Sequence, residues 1–400
     1  MDLDLAKELA VTNDSKIVLY VIDGLGGLPH PDTGRSELES ADTPHLDRLA
    51  ADGICGLTVP VGPGITPGSG PGHLSLFGYD PYRYQVGRGV LEALGIDFDL
   101  QPQDVAARGN FCTVDEAGRV TDRRAGRIST DTCTELCDLL REIKLPGVEL
   151  FVEPVREHRF LLVLRTNGLD GRLSETDPQR LDVEPLPVQA LAPEAASTAS
   201  YVNQFIQEAK RILAGHEPAN MLLLRGFSKH PSFPCFGDVF RMRAAAVAVY
   251  PMYRGLAKLV GMTVLPTGIT LEDELETLRA HWEEFDFFFL HFKRADAAGE
   301  DGDFDAKIAA LEAADAVIPA LREMEPDVLM VAGDHSTPSV LAAHSWHPVP
   351  FALCSRWCRP DRTEEFYESV CAAGSLGTFP ATEVMPLAMA HARRLTKYGA

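Results

Sequence analysis

The hydrophobic positions of this chain form short continuous runs instead of an alternating pattern. The clearest run covers residues 17–22 (Ile-Val-Leu-Tyr-Val-Ile), and two others lie at 285–290 and 327–332. Continuous apolar runs of this length are typical of strands that are buried on both faces of a parallel sheet. Helical stretches at about 271–284 and 303–323 precede the two later runs. Strands that alternate with helices in this way predict an α/β fold with a mostly parallel sheet.

The middle of the chain has a different pattern. Apolar segments at 221–224 and 244–250 predict further strands of the parallel sheet, but before them short strands such as 160–164 are separated by polar turns. A proline-rich loop at 183–193 precedes a helix at about 194–214. We therefore predict a smaller α+β domain inserted into the sheet domain. The expected boundaries are 1–84 and 219–400 for the discontinuous core domain and 85–218 for the insert.

Composition and charge limit the partners of the protein. Lys and Arg number 37 against 58 Asp and Glu, so the formal net charge is −21 at pH 7. Hydrophobic residues make up 45%, which is enough for a core and argues against disorder. The acidity repels nucleic acid and anionic lipid, so we expect no nucleic-acid or membrane partner. An anionic substrate would need its own local positive charge.

The N-terminus and the cysteines indicate the compartment. The first 16 residues are acidic and lack the basic start and apolar middle of a secretory signal. No apolar run reaches the roughly 18–20 residues that a membrane span needs. The eight cysteines are scattered without zinc-ribbon spacing, and we expect them to be reduced and mostly buried. These features predict a cytoplasmic protein and leave a monomer or a small homo-oligomer open.

Acidic and imidazole side chains follow the predicted strands at their carboxyl ends, where ligands bind in open α/β sheets. The candidates are Asp23, Asp296, Asp334, His335 and His344. A mixed set of carboxylates and imidazoles suits Mn, Zn, Co or Fe, and it suits Mg where carboxylates dominate. The alternative for any single Asp is a helix N-cap, and we favour that role for Asp301 and Asp303.

A loop rich in glycine and proline, residues 62–73, contains Ser69 and ends at His73. Such a loop permits close backbone approach, and its N–H groups could bind an oxyanion or a phosphate around a nucleophilic serine. A helix from about His73 to Phe77 would direct its positive end at Ser69. A nearby metal could lower the pKa of the serine hydroxyl. The alternative is a shaped loop without chemistry.

The predicted insert contains three arginines in a stretch of five residues: Arg123, Arg124 and Arg127. Further basic residues of the insert are Arg108 and His158-Arg159. Arginine offers planar bidentate donors that suit carboxylate and phosphate groups. The alternative is a solvated face that pairs with neighbouring acids.

Taken together, these segments resemble the archaeal-type cofactor-independent phosphoglycerate mutases of the alkaline phosphatase superfamily. The resemblance extends over residues 16–395 and depends on the shared order and spacing of several motifs. They are the strand that ends at Asp23-Gly24, and the segments 41–47, 68–73, 78–81, 87–95, 122–127, 334–338 and 344–350. It implies an alkaline-phosphatase-like, mostly parallel sheet flanked by helices, with the smaller inserted α+β domain acting as a lid.

The resemblance also implies a mechanism. Ser69 would be the nucleophile that carries a phosphoserine intermediate, and 3-phosphoglycerate and 2-phosphoglycerate would be interconverted with two divalent metals and without bisphosphoglycerate. The implied ligands are Asp23, Ser69, Asp334 and His335 for one metal, and Asp296, Glu300 and His344 for the other. The implied substrate-binding residues are Arg123, Arg124, Arg127, Arg254 and His73.

Two positions depart from the family pattern. Glu300 stands where the motif Asp-x-x-Gly-His has a histidine, and Arg254 stands where many relatives have lysine. Glutamate adds negative charge and a hard oxygen ligand, which shifts the expected metal from Zn towards Mn, with Mg, Co or Zn as alternatives. Arginine keeps the charge of lysine and adds bidentate geometry, so phosphate contact is expected to survive.

Two other functions stay open on the sequence. The first is a phosphatase or phosphotransferase of the same superfamily that acts on another small phosphate ester. The second is a non-catalytic sensor that has lost one metal through the change at Glu300.

Overall fold

The computed structural model describes residues 1–361 and 363–399. The chain divides into two compact units, Met1–Gln85 with Phe233–Ala400, and Val86–Ser232. The second unit runs from Val86 to Ser232, whereas the predicted insert covers residues 85–218. Within the described residues, no helix is long and apolar enough to cross a membrane.

The strands are numbered here in chain order. They are β1 (Ile17–Ile22), β2 (Ile54–Val59), β3 (Asp104–Val114), β4 (Val120–Asp122), β5 (Glu149–Arg156), β6 (Arg159–Arg165), β7 (Met221–Lys229), β8 (Ala244–Val247), β9 (Thr263–Val264), β10 (Phe287–Phe292), β11 (Val328–Ala332), β12 (Val349–Ser355) and β13 (Gly377–Pro380).

The α-helices are numbered in the same way. They are α1 (Leu3–Leu9), α2 (Glu37–Ser40), α3 (Pro44–Asp52), α4 (Ser69–Leu76), α5 (Arg88–Gly95), α6 (Thr130–Arg141), α7 (Ala196–Leu213), α8 (Phe236–Phe240), α9 (Pro251–Leu259), α10 (Leu271–Ala280), α11 (Arg294–Glu300), α12 (Phe304–Asp315), α13 (Ile318–Glu323), α14 (Glu368–Ala372) and α15 (Val384–His391).

The first unit is built on an eight-stranded sheet in the order β13-β2-β12-β11-β1-β10-β8-β9. β1 lies between β10 and β11 and is parallel to both, and β8 and β9 continue the parallel set. Every residue of β1, β10 and β11 is buried, as the continuous apolar runs predict. Only β12 runs antiparallel to its neighbours, β11 and β2. The predicted α/β fold with a mostly parallel sheet is confirmed.

Helices pack on the sheet and bury both faces of β1. Val18, Tyr20 and Ile22 share one hydrophobic cluster with Phe288 of β10 and Leu311 of α12, whereas the alternate residues of β1 point to the other face. Burial of each large apolar side chain contributes roughly 1.5–3 kcal/mol to stability. The central strands are therefore firmly held, and the loops at their carboxyl ends start from fixed positions.

The second unit contains an antiparallel sheet in the order β4-β3-β6-β5, and β7 also pairs with β3. The assignment of 221–224 to the parallel sheet is therefore wrong, because Met221 pairs with Cys112 of β3. This pairing also explains why the second unit extends past residue 218. An apolar run predicts that a strand is buried, but it carries no information about which sheet the strand joins.

The helical stretch predicted at 303–323 consists of two helices. Asp303 is the N-cap of α12 and accepts a hydrogen bond from the Ala306 backbone N–H at 2.9 Å, as expected for that residue. Proline near the start of α13 allows a new helix to begin but cannot continue the previous one. α12 therefore ends at Asp315, and α13 begins at Ile318.

A buried lysine joins the loop after β1 to the loop after β11. Lys307 of α12 is fully buried, and its Nζ donates hydrogen bonds to the carbonyl oxygens of Gly26 (2.9 Å) and Thr337 (2.8 Å). Burial lowers the pKa of this ammonium group, while the carboxylates of Glu37 and Glu368 favour its charged form. The role of Lys307 was not predicted from the sequence, since a lysine on a helix is ordinarily a surface residue.

We expect Lys307→Met to lower the free energy of unfolding by roughly 3–5 kcal/mol, because it leaves the buried Glu37 and two buried carbonyl oxygens without their cation. Urea denaturation followed by circular dichroism measures the loss. Lys7→Met, at an exposed position of α1, is the matched control and should change stability by less than about 0.5 kcal/mol. A loss from Lys307→Met as small as that of the control would contradict the bridging role.

Candidate active site

The order of the sheet brings three chemically active loops together. Asp23 follows β1 directly, Asp334 and His335 follow β11, and Asp296 lies in α11 after β10. Since β1 lies between β10 and β11, the carboxyl ends of these strands meet at one edge of the sheet. All four side chains are fully buried.

The residues expected to hold the first metal lie close together. His335 Nε2 is 3.0 Å from Asp334 Oδ2, 3.5 Å from Asp23 Oδ1 and 3.2 Å from Ser69 Oγ. Asp23 Oδ1 and Asp334 Oδ2 are buried, and neither takes part in a hydrogen bond of acceptable geometry. A buried carboxylate oxygen that lacks a donor is costly unless a cation compensates it, so this donor set fits a divalent metal.

Hydrogen bonds orient the His335 ring for this role. Its Nδ1 lies 2.9 Å from Thr337 Oγ1, whose hydroxyl donates to Asp296 Oδ1 at 2.6 Å. The Thr337 oxygen therefore accepts from Nδ1–H, and this assignment leaves the Nε2 lone pair facing Asp23, Asp334 and Ser69.

Asp296 and His344 form a second group beside the first. His344 Nε2 is 3.5 Å from Asp296 Oδ1 and 3.4 Å from Glu300 Oε1, while its Nδ1 lies 3.0 Å from the Pro67 carbonyl oxygen. The His344 and His335 rings are stacked with centroids 3.6 Å apart. Asp296, His335 and His344 have ligand atoms within reach of one ion. Glu300 contacts His344, but its side chain is 54% exposed, so its role as a ligand stays a prediction.

The charges of the buried carboxylates are partly balanced by cationic groups. Burial raises the pKa of Asp334, but His335 and His73 outweigh this effect and hold the pKa well below its usual value. Burial and the neighbouring Asp23 raise the pKa of Asp296. The Lys293 ammonium contacts Asp296 and lies 3.3 Å from Asp23 Oδ2.

The pKa of His344 is also shifted. Burial lowers it, but the carboxylates of Glu300 and Asp296 and the Pro67 carbonyl oxygen together raise it to about 9. The ring is therefore protonated at neutral pH, and a metal that bound at Nε2 would displace that proton.

Ser69 is the first residue of α4, which begins earlier than the helix predicted from His73. Proline is tolerated in the first turn of a helix, and Pro71 lies in the first turn of α4. The last part of the Gly/Pro-rich segment is therefore helical, and the part before Ser69 is a loop. Gly68 caps the helix without a side-chain hydrogen bond, so the first backbone N–H groups are available for an anion at Ser69. Gly72 permits this placement, because a Cβ there would lie 2.2 Å from the Asp334 carbonyl oxygen.

His73 is buried beside Asp334 and is not exposed to solvent. It is fully buried, and its Nδ1 is 2.9 Å from the Ser69 carbonyl oxygen and 3.1 Å from Asp334 Oδ2. The role of His73 in binding substrate stays a prediction, and the contacts of its Nδ1 are with Ser69 and Asp334. Burial lowers the pKa of His73, and Asp334 outweighs burial, so the net shift is upward.

The contact of His291 with the site was not predicted from the sequence. Its Nε2 lies 3.1 Å from Asp23 Oδ2, and Asp23, His73 and His291 form a further group of potential ligand atoms. The signal in the sequence was a histidine in an otherwise apolar strand, where it pairs in register with Val21, two residues before Asp23. A polar residue at that position reaches the same edge of the sheet as the metal-binding candidates.

The arginines predicted to bind substrate differ in their surroundings. Arg123 makes a bidentate ion pair with Asp177, with contacts of 2.9 and 2.6 Å. This residue therefore pairs with a neighbouring acid, which was the alternative to substrate binding. Arg124 and Arg127 are exposed on a tight turn that Asp122 holds by accepting from backbone N–H groups. In the first unit, Arg254 is half-buried on α9.

A second basic group on the sheet of the second unit was noted in the sequence but not assigned to the site. Asn110 pairs in register with Arg159, and Arg108 pairs with Arg225, so these side chains share a face of the sheet. Arg108 Nε, Arg159 Nε and Asn110 Oδ1 are buried without hydrogen-bond partners. Burial and the neighbouring arginines lower the pKa of Arg108 to about 10, although Glu92, 3.5 Å away, opposes this. The group suits an anionic ligand.

The chain is similar in sequence to a family of known proteins. The family model described as 2,3-bisphosphoglycerate-independent phosphoglycerate mutase matches residues 50–219. A Thermotoga neapolitana protein named probable 2,3-bisphosphoglycerate-independent phosphoglycerate mutase is 49% identical over 395 residues, 98% of each chain. A Thermus thermophilus protein with the same name is 48% identical over 406 residues, 100% of each chain.

Solved structures are also similar. A protein from Pyrococcus horikoshii has a TM-score of 0.84 at 30% identity and covers 97% of this chain and 100% of its own. The cofactor-independent phosphoglycerate mutase from Thermoplasma acidophilum has a TM-score of 0.72 at 31% identity, with 94% and 100% covered. The predicted resemblance is therefore confirmed over nearly the whole length, and the chain belongs to the 2,3-bisphosphoglycerate-independent phosphoglycerate mutase family.

Proposed function

We propose that this chain, an isomerase of that family, interconverts 3-phosphoglycerate and 2-phosphoglycerate through a phosphoserine on Ser69 and without bisphosphoglycerate. The observation that supports this most directly is the position of Ser69. It begins α4, and its Oγ lies 3.2 Å from His335 in the same buried group as Asp23 and Asp334. A nucleophile, a helix N-terminus and a set of metal ligands thus meet at one place.

Two divalent metals would be held by the residues implied by the sequence. Asp23, Ser69, Asp334 and His335 suit one ion, and Asp296, His344 and Glu300 suit the other. We propose Mn as the metal because carboxylate oxygens are prominent in the set, with Mg, Co or Zn as alternatives. When bound, the metals neutralise phosphoryl oxygens and favour ionisation of the serine hydroxyl.

The residues of the chain then have distinct tasks. Ser69 Oγ forms a bond to phosphorus while the bond to the 3-oxygen of the substrate breaks. Glycerate stays bound, and its 2-hydroxyl attacks the same phosphorus and releases Ser69. The N-terminus of α4 stabilises negative charge on the phosphoryl group. Of the residues predicted from the sequence, Arg124, Arg127, Arg254 and His73 stay the proposed partners of the substrate's anionic groups, whereas Arg123 pairs with Asp177. Arg108 and Arg159 are proposed in addition.

Cytoplasmic location and assembly as a monomer or small homo-oligomer stay predictions from the sequence. The expected absence of nucleic-acid and membrane partners is based on the overall charge of −21.

Ser69→Ala is expected to lower mutase activity by at least roughly 1,000-fold, because it removes the oxygen that carries the phosphoryl group in the proposed mechanism. Formation of 2-phosphoglycerate is measured by coupling to enolase, with Mn and without bisphosphoglycerate. The control is Ser75→Ala in the same helix, which loses a buried hydrogen bond to the Pro60 carbonyl oxygen worth about 1 kcal/mol but should stay active. Substantial activity of Ser69→Ala would rule out the phosphoserine. Phosphate release by the wild-type protein without 2-phosphoglycerate would favour the phosphatase alternative.

If Glu300 is a metal ligand, Glu300→His should shift metal preference from Mn towards Zn, and Glu300→Gln should weaken Mn binding by roughly 10- to 100-fold. Metal content of the purified proteins and Mn titration by calorimetry give the two readouts. The exposed neighbour Asp301, changed to Asn, serves as the control. An unaltered metal profile would place Glu300 outside the coordination sphere. A wild-type protein that holds one ion or none and stays inert with Mn would favour the sensor alternative.

Arg159→Gln should raise KM for 3-phosphoglycerate by roughly 10- to 100-fold, since a charged hydrogen bond contributes about 1.5–3 kcal/mol. Arg123→Gln should act mainly on stability and lower Tm, because Asp177, which is 1% exposed, loses its bidentate partner. Arg119→Gln removes an exposed pair with Asp115 in the same unit and is the control for both. Equal effects of Arg159→Gln and Arg119→Gln on KM would refute an anion-binding role for Arg159.

A further inference from the structure

The hydroxyl of Tyr253 is a buried polar group for which the mechanism above has no role. Tyr253 lies on α9 and is fully buried, and its oxygen has no hydrogen-bond partner. A buried phenol hydroxyl usually finds a partner, because an unpaired one loses its hydration without compensation. Phenylalanine would fill the same space without that cost, so the unpaired hydroxyl points to a chemical role.

Aromatic and cationic neighbours hold the ring in place. It stacks on His291 with ring centroids 3.6 Å apart and an interplanar angle of 24°. The His73 ring lies 4.7 Å away, and the Lys293 ammonium lies over the face of the phenol ring, 5.5 Å from its centroid. Since His291 contacts Asp23 and His73 contacts both Ser69 and Asp334, the phenol is packed against the residues that support the whole site.

The Asp23 and Ser69 side chains both influence the hydroxyl. Burial and the charges of Asp23 and Asp334 raise the pKa of the phenol, and Ser69 opposes this. Neither Asp23 nor Ser69 makes a hydrogen bond of acceptable geometry with the hydroxyl. Asp23 Oδ2 already contacts His291 and Lys293, and Asp23 Oδ1 faces the proposed metal site. Ser69 Oγ is a proposed ligand of the same metal, but it keeps a further lone pair that can accept from a phenolic donor.

We propose that Tyr253 is an additional catalytic residue whose hydroxyl donates a hydrogen bond to Ser69 Oγ during phosphoryl transfer. This inference rests on the proposed function, because it requires Ser69 to be the nucleophile. The negative charge on Oγ is larger in the transition state than in the free alcohol. A fixed donor at this position therefore stabilises the transition state more than the ground state.

The proton balance leaves Tyr253 unchanged through the cycle. When Oγ bonds to phosphorus, the serine loses its proton, and the departing 3-oxygen of glycerate gains one. On the return step, the 2-hydroxyl loses its proton as its oxygen bonds to phosphorus, and Ser69 Oγ regains one as its bond breaks. Tyr253 keeps its own proton in both steps and acts only as a donor.

The test is Tyr253→Phe, which keeps the ring stacked on His291 and removes only the hydroxyl. In the Mn-loaded enzyme we expect kcat to fall roughly 10- to 100-fold in both directions, with KM for 3-phosphoglycerate within threefold of wild type. Single-turnover formation of phosphoserine, followed by acid quench and intact-mass measurement, should slow by the same factor. Tyr250→Phe, one turn earlier and half-buried, is the matched control and should keep wild-type kcat.

Two readouts besides activity separate a catalytic role from a structural one. Mn affinity, titrated into metal-stripped protein, should stay within twofold of wild type, and Tm should be unchanged or higher because an unpaired hydroxyl is removed. A kcat within twofold of wild type would overturn the inference. So would a tenfold loss of Mn affinity with kcat restored at saturating Mn, which would assign Tyr253 to holding Asp23.

Failure of the proposed function gives a different result from failure of this inference. A wild-type protein that forms no 2-phosphoglycerate, or a Ser69→Ala variant that does form it, overturns the proposed function and the Tyr253 inference with it. An active wild-type protein, an inactive Ser69→Ala variant and a fully active Tyr253→Phe variant overturn the Tyr253 inference alone.

Discussion

The burial of three carboxylates at one edge of the parallel sheet is the constraint on which the rest of the site depends. Asp23, Asp296 and Asp334 are all fully buried, and the sheet order brings them together. Two like charges about 4 Å apart repel by roughly 4 kcal/mol at an effective dielectric constant near 20. The fold can place these groups together only if cationic groups are held beside them. Lys293 is one such group, and the carboxylate oxygens left without donors suit metal ions.

The loops around these carboxylates are held by backbone contacts as much as by side chains. Lys307 joins the loops after β1 and β11 through two carbonyl oxygens, and the Gly24 backbone N–H donates to Asp334 Oδ1 at 3.2 Å. Gly24 has φ +70°, and a Cβ there would lie 2.7 Å from the Asp296 Cα. The loop after β1 can approach Asp296 this closely only with glycine at position 24. Gly72 has the same role where α4 approaches the loop after β11. The acidic groups are held in place by a scaffold with little room for substitution.

Sequence patterns predicted the parallel sheet and the residues at its strand ends because both depend on local order along the chain. An apolar run marks a buried strand, and the residue that follows marks its end, so Asp23 and Asp334 were predictable. The partner of a strand depends on distant segments, which is why β7 was assigned to the wrong sheet. The position of His73 behind Asp334 was beyond prediction for the same reason, since it depends on how α4 packs against the loop after β11.

The arginines show why composition is a poor guide to where an anion binds. Counted along the sequence, Arg123 belongs to the densest basic segment, yet a buried carboxylate neutralises it. Arg159 stands apart from that segment, yet its Nε is buried without a partner on the same face as Arg108. A net charge of −21 is therefore compatible with an anionic substrate, because local potential depends on which charges are paired. Donors that the fold buries and leaves unpaired, rather than an excess of basic residues, mark where the protein can bind an anion.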